Sequence, residues 1–336
     1  ETPFFMPVAT RASVKTLLPE EFLKTSVVIS NAFMLHLRPG EAVIEKLGGL
    51  HRYMDWNGGI FADSGGFQLI RQGFDPKITD EGVFFKSPYD GKVELLTPED
   101  VLKIEDALGV DVGMVLDHCP PYPSKPEGLH ESAKRTLYWA KRAITHKREK
   151  GLMFGIVQGG TDLELRRAHS KKLGELDFDG FGIGGLSIGE TSNEMFTSLE
   201  ASLFGLMVEK PRYFMGLGSD MDILRSISMG VDIFDSVYPT RNARHKTALV
   251  GNSSMNIGKK KYKDAPGSIE KGCRCPVCKR FSLAYVNNLL RDDELLGLRL
   301  LTMHNLHHVQ TLMEEARTSL KEGDFSDFIK GRLSMQ

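Results

Sequence analysis

Three of the four cysteines, Cys273, Cys275 and Cys278, fall within six residues. Thiolates this close can take three corners of a tetrahedron, and soft sulfur donors suit zinc. A fourth ligand must come from elsewhere. The helical pattern downstream offers His304, with His307 and His308 as rivals on chemistry alone. Three thiolates and one imidazole would close the shell and leave no position for water, so such a zinc would be structural. Nothing here resembles a secreted disulfide framework, because Cys119 stands alone far upstream.

Carboxylates form the second constellation. Asp63-Ser64-Gly65-Gly66-Phe67-Gln68 follows an apolar run with an acid, two glycines that let a ligand approach the backbone, and a ring able to stack. Taken alone, Asp63 could equally be a helix N-cap and Phe67 a core residue. Asp235 ends a second run, ahead of Arg241, Arg244 and Lys246. A carboxylate beside phosphate-binding cations is what attack on the sugar of a nucleic acid requires. The competing reading is an ion pair between Asp235 and Arg241 or Arg244.

The elements that must position these groups are short apolar runs alternating with helical patterns from residue 25 to about 240. The runs are 26–31, 59–64, 112–117, 153–158, 180–185, 213–216 and 231–235. Near-continuous apolarity implies strands buried on both faces, hence a parallel sheet covered by helices. Thr97-Pro98-Glu99-Asp100 reads as a helix start with an N-cap and a first-turn proline. Seven or eight such units predict an α/β fold, a (β/α)8 TIM barrel, and no Gly-x-Gly-x-x-Gly turn points to a doubly wound sheet. Asp63, Asp117, Gln158 and Asp235 all fall at C-terminal strand ends, where a barrel gathers its active site. Residues 1–245 are expected to form the barrel. Residues 246–336 are expected to form a zinc-binding subdomain and a helical tail, Phe281 to Met335, that completes the barrel.

The bulk numbers agree with a chain able to bury a sizeable core. The 336 residues are 41% hydrophobic and 26% charged, with a formal charge of −1. That balance neither requires nor excludes a nucleic-acid partner, since phosphates respond to local patches. One such patch is Lys259 to Lys263, which could also be a plain solvated loop. No apolar run spans a bilayer and no leader opens the chain, so a cytoplasmic protein with no membrane partner is expected. The chain opens on Glu1, which suggests that a short natural N-terminus is missing.

Taken together, Asp63 to Gln68, Gly155 to Gly160, Gly184 to Glu190, Phe234-Asp235 with Pro239 to Arg244, and the cysteine-histidine set resemble the motif series of tRNA-guanine transglycosylases, in the same order. The likeness covers essentially the whole chain, and the spacing from Cys278 to His304 resembles that of the family's zinc ligands. The resemblance implies exchange of the wobble guanine in a tRNA anticodon loop for a 7-deazaguanine, through a covalent aspartyl-ribose intermediate. It implies Asp235 as nucleophile and Asp63 as general acid/base. Asp117 and Gln158 would bind the base edge, Gly185 and Leu186 would line the pocket with a backbone N–H from Gly185, and Phe67 and Met215 would sandwich the ring. It also implies His304 as the fourth zinc ligand and a homodimer with the zinc region near its interface.

Some residues depart from the bacterial pattern: His118 stands where glutamate is usual, Ser236 where cysteine is, and Ala32 where threonine is; Tyr238 and His245 are unusual too. None removes a catalytic group. Ile188, where relatives that accept bulky queuine tend to have glycine, predicts the aminomethyl-deazaguanine precursor as substrate, with the nitrile precursor as the closer rival. Cys119 stands where those relatives tend to have valine. The end at Gln336, without room for a further RNA-binding domain, favours the anticodon over the D-arm. Two other classes compete: a non-catalytic partner subunit, against which Asp63 and Asp235 both argue, and a barrel enzyme acting on a small metabolite.

Overall fold

The apolar runs pair side by side and close on themselves. In the computed structural model, which describes all residues except 23, 72, 73, 75, 147 and 334–336, eight parallel strands form a barrel. They are β1 (Phe4–Pro7), β2 (Val27–Asn31), β3 (Gly59–Asp63), β4 (Val112–Met114), β5 (Leu152–Val157), β6 (Gly180–Ile183), β7 (Arg212–Phe214) and β8 (Ile233–Ser236). Each pairs with its sequence neighbours, and β8 pairs with β1 with Asp235 opposite Met6. The ring closes between β1 and β2 through a bridge from Val8 to Ile29, where the Ala9 N–H donates to the Ile29 carbonyl at 2.7 Å. The (β/α)8 architecture expected from the sequence is therefore present.

The interior is filled from alternate strands, as close packing of a barrel requires. Phe4, Phe61, Phe154 and Tyr213 come from β1, β3, β5 and β7, and Phe61 meets the other three rings at centroid distances of 6.4, 5.5 and 6.0 Å. The strands stop earlier than the apolar runs: β4, β6 and β7 end at Met114, Ile183 and Phe214, so Asp117, Gly185 and Gly216 lie on rim loops. Gly185 and Gly216 turn the chain there with φ of +67° and +83°. Strand β1 had no counterpart among the expected runs, because Phe4–Pro7 is short and ends in proline.

Between β3 and β4 the chain leaves the barrel as a small antiparallel sheet, Lys77–Ile78, Val83–Lys86 and Val93–Leu96. It returns through the helix Pro98–Leu108, whose expected N-cap is reciprocal: Thr97 accepts the Asp100 N–H and Asp100 accepts the Thr97 N–H. After β8 come the helix Tyr238–Arg244, a hairpin of Thr247–Val250 with Ser253–Asn256, a 3-10 turn at Lys260–Tyr262, and four α-helices, Pro276–Arg280, Leu283–Arg291, Leu295–Glu322 and Phe325–Leu333. The expected helical tail is thus broken into segments, and its last residues, including Met335, lie outside the described part.

Leu295–Glu322 joins the metal region to the barrel. Its first turns pack Leu300 and Leu301 with Ala248, Cys275 and Val277, and its later turns pack Val309, Leu312 and Met313 with Phe5, Phe214 and Phe234. Gln310 donates to the Phe5 carbonyl of β1 at 3.0 Å and to Thr25 Oγ1 at 3.1 Å. Among the described residues no helix is long and apolar enough to cross a membrane.

Candidate active site

The rim brings three carboxylates together. Asp235 lies in β8, where Oδ1 accepts the Tyr213 hydroxyl at 2.6 Å and the Gly216 N–H at 2.7 Å. Two donors on one oxygen favour its charged form, but burial outweighs them and its pKa is raised. The ion pair with Arg241 or Arg244 that would make Asp235 a stabilising residue is not among its contacts.

Asp63 closes β3, opposite Asn31 of β2, whose Nδ2 donates to Asp63 Oδ2 at 3.1 Å. Burial, then the charges of Asp117 and Asp235, push its pKa to about 7, against donation from the Gly65 backbone and the Gln68 side chain. It can therefore both give and take a proton near neutral pH. Helix N-capping does not account for a carboxyl placed against two others.

Asp117 is buried and accepts the Gln158 Nε2–H at 2.6 Å, and burial raises its pKa to about 6. Gly66 crosses so close that a Cβ there would stand 2.8 Å from Asp117 Oδ1, so only glycine fits beside it. Gln158 is itself fully buried, and its Oε1 has no hydrogen-bond partner. A carboxylate and an unsatisfied amide oxygen at one rim form a polar edge that invites a hydrogen-bonding ligand.

The remaining expected residues fall around this edge. Phe67 exposes 37% of its surface at the start of the helix after β3, and Met215 sits on the loop after β7, half-buried. Leu186 is different: its side chain packs in the core with Ile183 and Phe196, so only its backbone can serve a ligand. Arg241 is exposed on the helix after β8, and Arg244 is half-buried, with one guanidinium nitrogen lacking a partner. Lys246 is engaged by Asp293 at 2.7 Å, a surface contact that phosphate could displace.

One contributor was not singled out in the sequence, and two departures from the family pattern acquire partners. Tyr213 hides in an apolar strand and reveals its role only through its hydroxyl. Ser236, in place of cysteine, donates to the Gly216 carbonyl at 3.1 Å and so braces the loop whose N–H reaches Asp235. His118 accepts at Nδ1 from Arg135 at 3.1 Å; burial and that guanidinium lower its pKa to about 4, so it is neutral.

The metal cluster is equally definite. His304 Nδ1 lies 3.8, 3.6 and 3.4 Å from the sulfurs of Cys273, Cys275 and Cys278, and the four ligand atoms fall within 4.8 Å of one another. Tetrahedral zinc with ordinary bond lengths separates sulfur from nitrogen by about 3.5 Å, so the residues fit the ion. His304 Nε2 meets the Leu249 carbonyl at 2.9 Å, which assigns the proton to Nε2 and frees Nδ1 for the metal. Of the rivals, His307 Nδ1 stands 4.0 Å from Cys273 alone, and His308 binds Asp220 at 2.6 Å. The site takes a structural zinc.

Fold and rim define a class: a (β/α)8 protein with carboxylates gathered at the C-terminal ends of its strands and a closed Cys3His zinc site. The family model described as queuine tRNA-ribosyltransferase matches residues 1–336. Proteins named queuine tRNA-ribosyltransferase are similar throughout: that of Symbiobacterium thermophilum is 44% identical over 99% of this chain and 84% of its own. Those of Desulforamulus reducens and Thermus thermophilus are each 43% identical over 98% of this chain and 91% and 86% of their own. This chain belongs to the queuine tRNA-ribosyltransferase family.

Two outcomes follow. The purified protein will carry one zinc per chain, and Cys275→Ala will lose it together with about 3 kcal/mol or more of stability; full metal content and unchanged melting in that variant would refute the site. Asp63 has a folded pKa above its unfolded value, so the folded state holds a proton that the unfolded chain releases, and ionisation costs stability as pH rises from about 4 through 7. Asp63→Asn should therefore raise the melting temperature at pH 8 and leave it nearly unchanged at pH 4. Equal shifts at both would count against the carboxyl cluster.

Proposed function

We propose that this protein exchanges the wobble guanine of a tRNA anticodon for 7-aminomethyl-7-deazaguanine by double displacement, with Asp235 as nucleophile and Asp63 as general acid/base. The observation that carries this reading is the division of labour between two carboxyls at one rim. Asp235 has one oxygen held by Tyr213 and Gly216, and Asp63 has its pKa pushed to about 7.

Replacing one base by another at the same face of the sugar takes two inversions, so one carboxylate attacks and another moves the proton. The guanine must first leave the loop's stack to enter the pocket. Asp235 Oδ2 attacks C1′ while Oδ1 stays anchored. The C1′–N9 bond breaks, its electron pair goes to N9, and protonated Asp63 neutralises the departing base. The incoming base enters, ionised Asp63 takes its N9 proton, and N9 attacks C1′. The ester C1′–O bond breaks and returns Asp235 as carboxylate. The bonds lost and gained are of one kind, so no external energy source is required.

Asp117 and Gln158 read the pyrimidine edge shared by both bases, and Phe67 and Met215 flank the ring. Two features favour the aminomethyl substituent. Glu190 accepts the N–H groups of Ser187 and Ile188, the latter at 3.0 Å. A trans peptide directs C=O opposite to N–H, so the Leu186 carbonyl faces away from Glu190 and can accept an ammonium. Ile188 fills the space a cyclopentenediol would need. Arg241, Arg244 and Lys246 meet the RNA backbone. Residues 1–245 act as the catalytic barrel and 246–336 as the zinc-bearing unit, in a cytoplasmic homodimer.

The test incubates the protein with unmodified tyrosine tRNA and equal amounts of aminomethyl-deazaguanine, cyano-deazaguanine and queuine, followed by mass spectrometry of the anticodon nucleosides. The aminomethyl base should dominate the product, and Asp235→Asn should reduce exchange by at least about a thousandfold. Efficient queuine insertion would overturn the substrate assignment. Exchange with none of the bases, by folded zinc-loaded protein, would overturn the function.

A further inference from the structure

Arg166, on the helix Leu163–Gly174, is fully buried yet forms no ion pair among the described residues. All its hydrogen bonds go to neutral acceptors. Nε donates to the Gly160 carbonyl, one terminal nitrogen to Ser202 Oγ at 3.0 Å, and the other to the carbonyls of Gly184 at 2.9 Å and Gly185 at 3.4 Å. Burial lowers its pKa to about 10, so it remains charged at neutral pH. An uncompensated charge in the interior is costly, and a structural link between two loops could be made by neutral side chains.

Peptide geometry shows what the charge accomplishes. In a trans peptide the C=O and the following N–H point in opposite directions. Holding the carbonyls of Gly184 and Gly185 on one guanidinium nitrogen therefore turns the N–H groups of Gly185 and Leu186 away from Arg166. Neither N–H hydrogen-bonds to any described residue. The Gly184 N–H, by contrast, is spent on the Val157 carbonyl at 3.0 Å. The two residues that carry these carbonyls run directly against Gln158: a Cβ on Gly184 would stand 2.7 Å from its Nε2, and one on Gly185 2.4 Å from its Oε1. Arg166 also binds Gly160, two residues beyond Gln158, so a single side chain fixes both loops that border the polar edge.

We propose that Arg166 is a positioning residue for base recognition, holding the Gly184–Gly185 and Gly185–Leu186 peptides so that their N–H groups form a paired, cation-backed donor site for the exocyclic carbonyl oxygen of the purine ring. As the glycosidic bond breaks, negative charge spreads through the conjugated ring onto that oxygen, and donors fixed in advance strengthen without reorganising. The inference rests on the exchange reading above and adds a second contributor to it, at the pyrimidine edge of the base, away from the N9 where the bond breaks.

The test compares kcat/KM for insertion of guanine and of 6-thioguanine, which keeps the N–H groups of guanine but offers a weaker acceptor at this one position. The wild type should prefer guanine by at least about tenfold, and Arg166→Lys, which keeps the charge but not the fork, should lose most of that preference with the KM for tRNA unchanged. A role confined to fold stability would slow both bases alike, and an unchanged ratio in Arg166→Lys overturns the proposal. Should that variant fail to fold, Ser202→Ala, which frees one arm of the guanidinium, decides: a fall in the ratio of about two- to fivefold supports the proposal and an unchanged ratio overturns it. A wild type that inserts no guanine overturns the exchange reading, and this inference with it, whereas guanine insertion with a ratio insensitive to both variants overturns this inference alone.

Discussion

Three carboxyls crowded at the mouth of one barrel repel one another and have lost much of their water, and most of the surrounding structure answers that strain. Burial is the largest influence on Asp63, Asp117 and Asp235, and Asp63 additionally feels both of its neighbours. Each receives a different remedy. Asp235 is given two donors on one oxygen and Asp117 an amide, whereas Asp63, though Asn31, Gly65 and Gln68 donate to it, bears its neighbours' charges on top of burial, which raises its pKa to about 7 against about 6 for Asp117. Environments this unequal push the pKa values of neighbouring carboxyls apart, which is what the proposed double displacement needs at one pH. The barrel makes this arrangement affordable, because strand ends from β3, β5 and β8 and the loop after β4 are fixed by backbone pairing before any side chain is considered.

The zinc cluster reaches that mouth through a short chain of contacts. His304 holds the Leu249 carbonyl, and the next residue, Asn305, accepts the Leu249 N–H at 2.9 Å and donates to the carbonyls of Pro239 and Thr247 at 3.0 Å each. Pro239 opens the helix that carries Arg241 and Arg244, and Thr247 follows Lys246. A metal that fixes His304 thereby fixes the segment of basic residues just past Asp235. The helix of His304 and Asn305, Leu295–Glu322, continues to Gln310, which grips β1, so the metal region braces the barrel's closing seam as well.

Much of this was legible in the residues. Apolar runs ending in Asp63, Gln158 and Asp235 marked the strands and their business ends, because burial on both faces leaves a compositional trace. Three cysteines in six residues marked the metal, while chemistry alone left the fourth ligand open among three histidines; the resemblance implied His304, and the Leu249 carbonyl and Asp220 separate it from its rivals. Strand β1 escaped because four residues ending in proline carry no periodicity, and the small sheet before Pro98–Leu108 escaped for a similar reason. Tyr213 and Arg166 were illegible for a different reason: their roles depend on where one hydroxyl and one guanidinium end, which composition does not encode. Leu186 was placed in the pocket by motif alone, and its packing with Ile183 and Phe196 moves any contribution to its backbone.

The account stands most directly on covalent attachment of RNA to Asp235. Protein incubated with unmodified tRNA in the absence of an incoming base, then denatured and digested, should yield one RNA-linked peptide, with the ribose on Asp235. That adduct should be absent from Asp235→Asn and still present, more slowly formed, in Asp63→Asn. An adduct on another residue, or guanine exchange at the wild-type rate by Asp235→Asn, would contradict the assignment of nucleophile and proton carrier on which the mechanism is built.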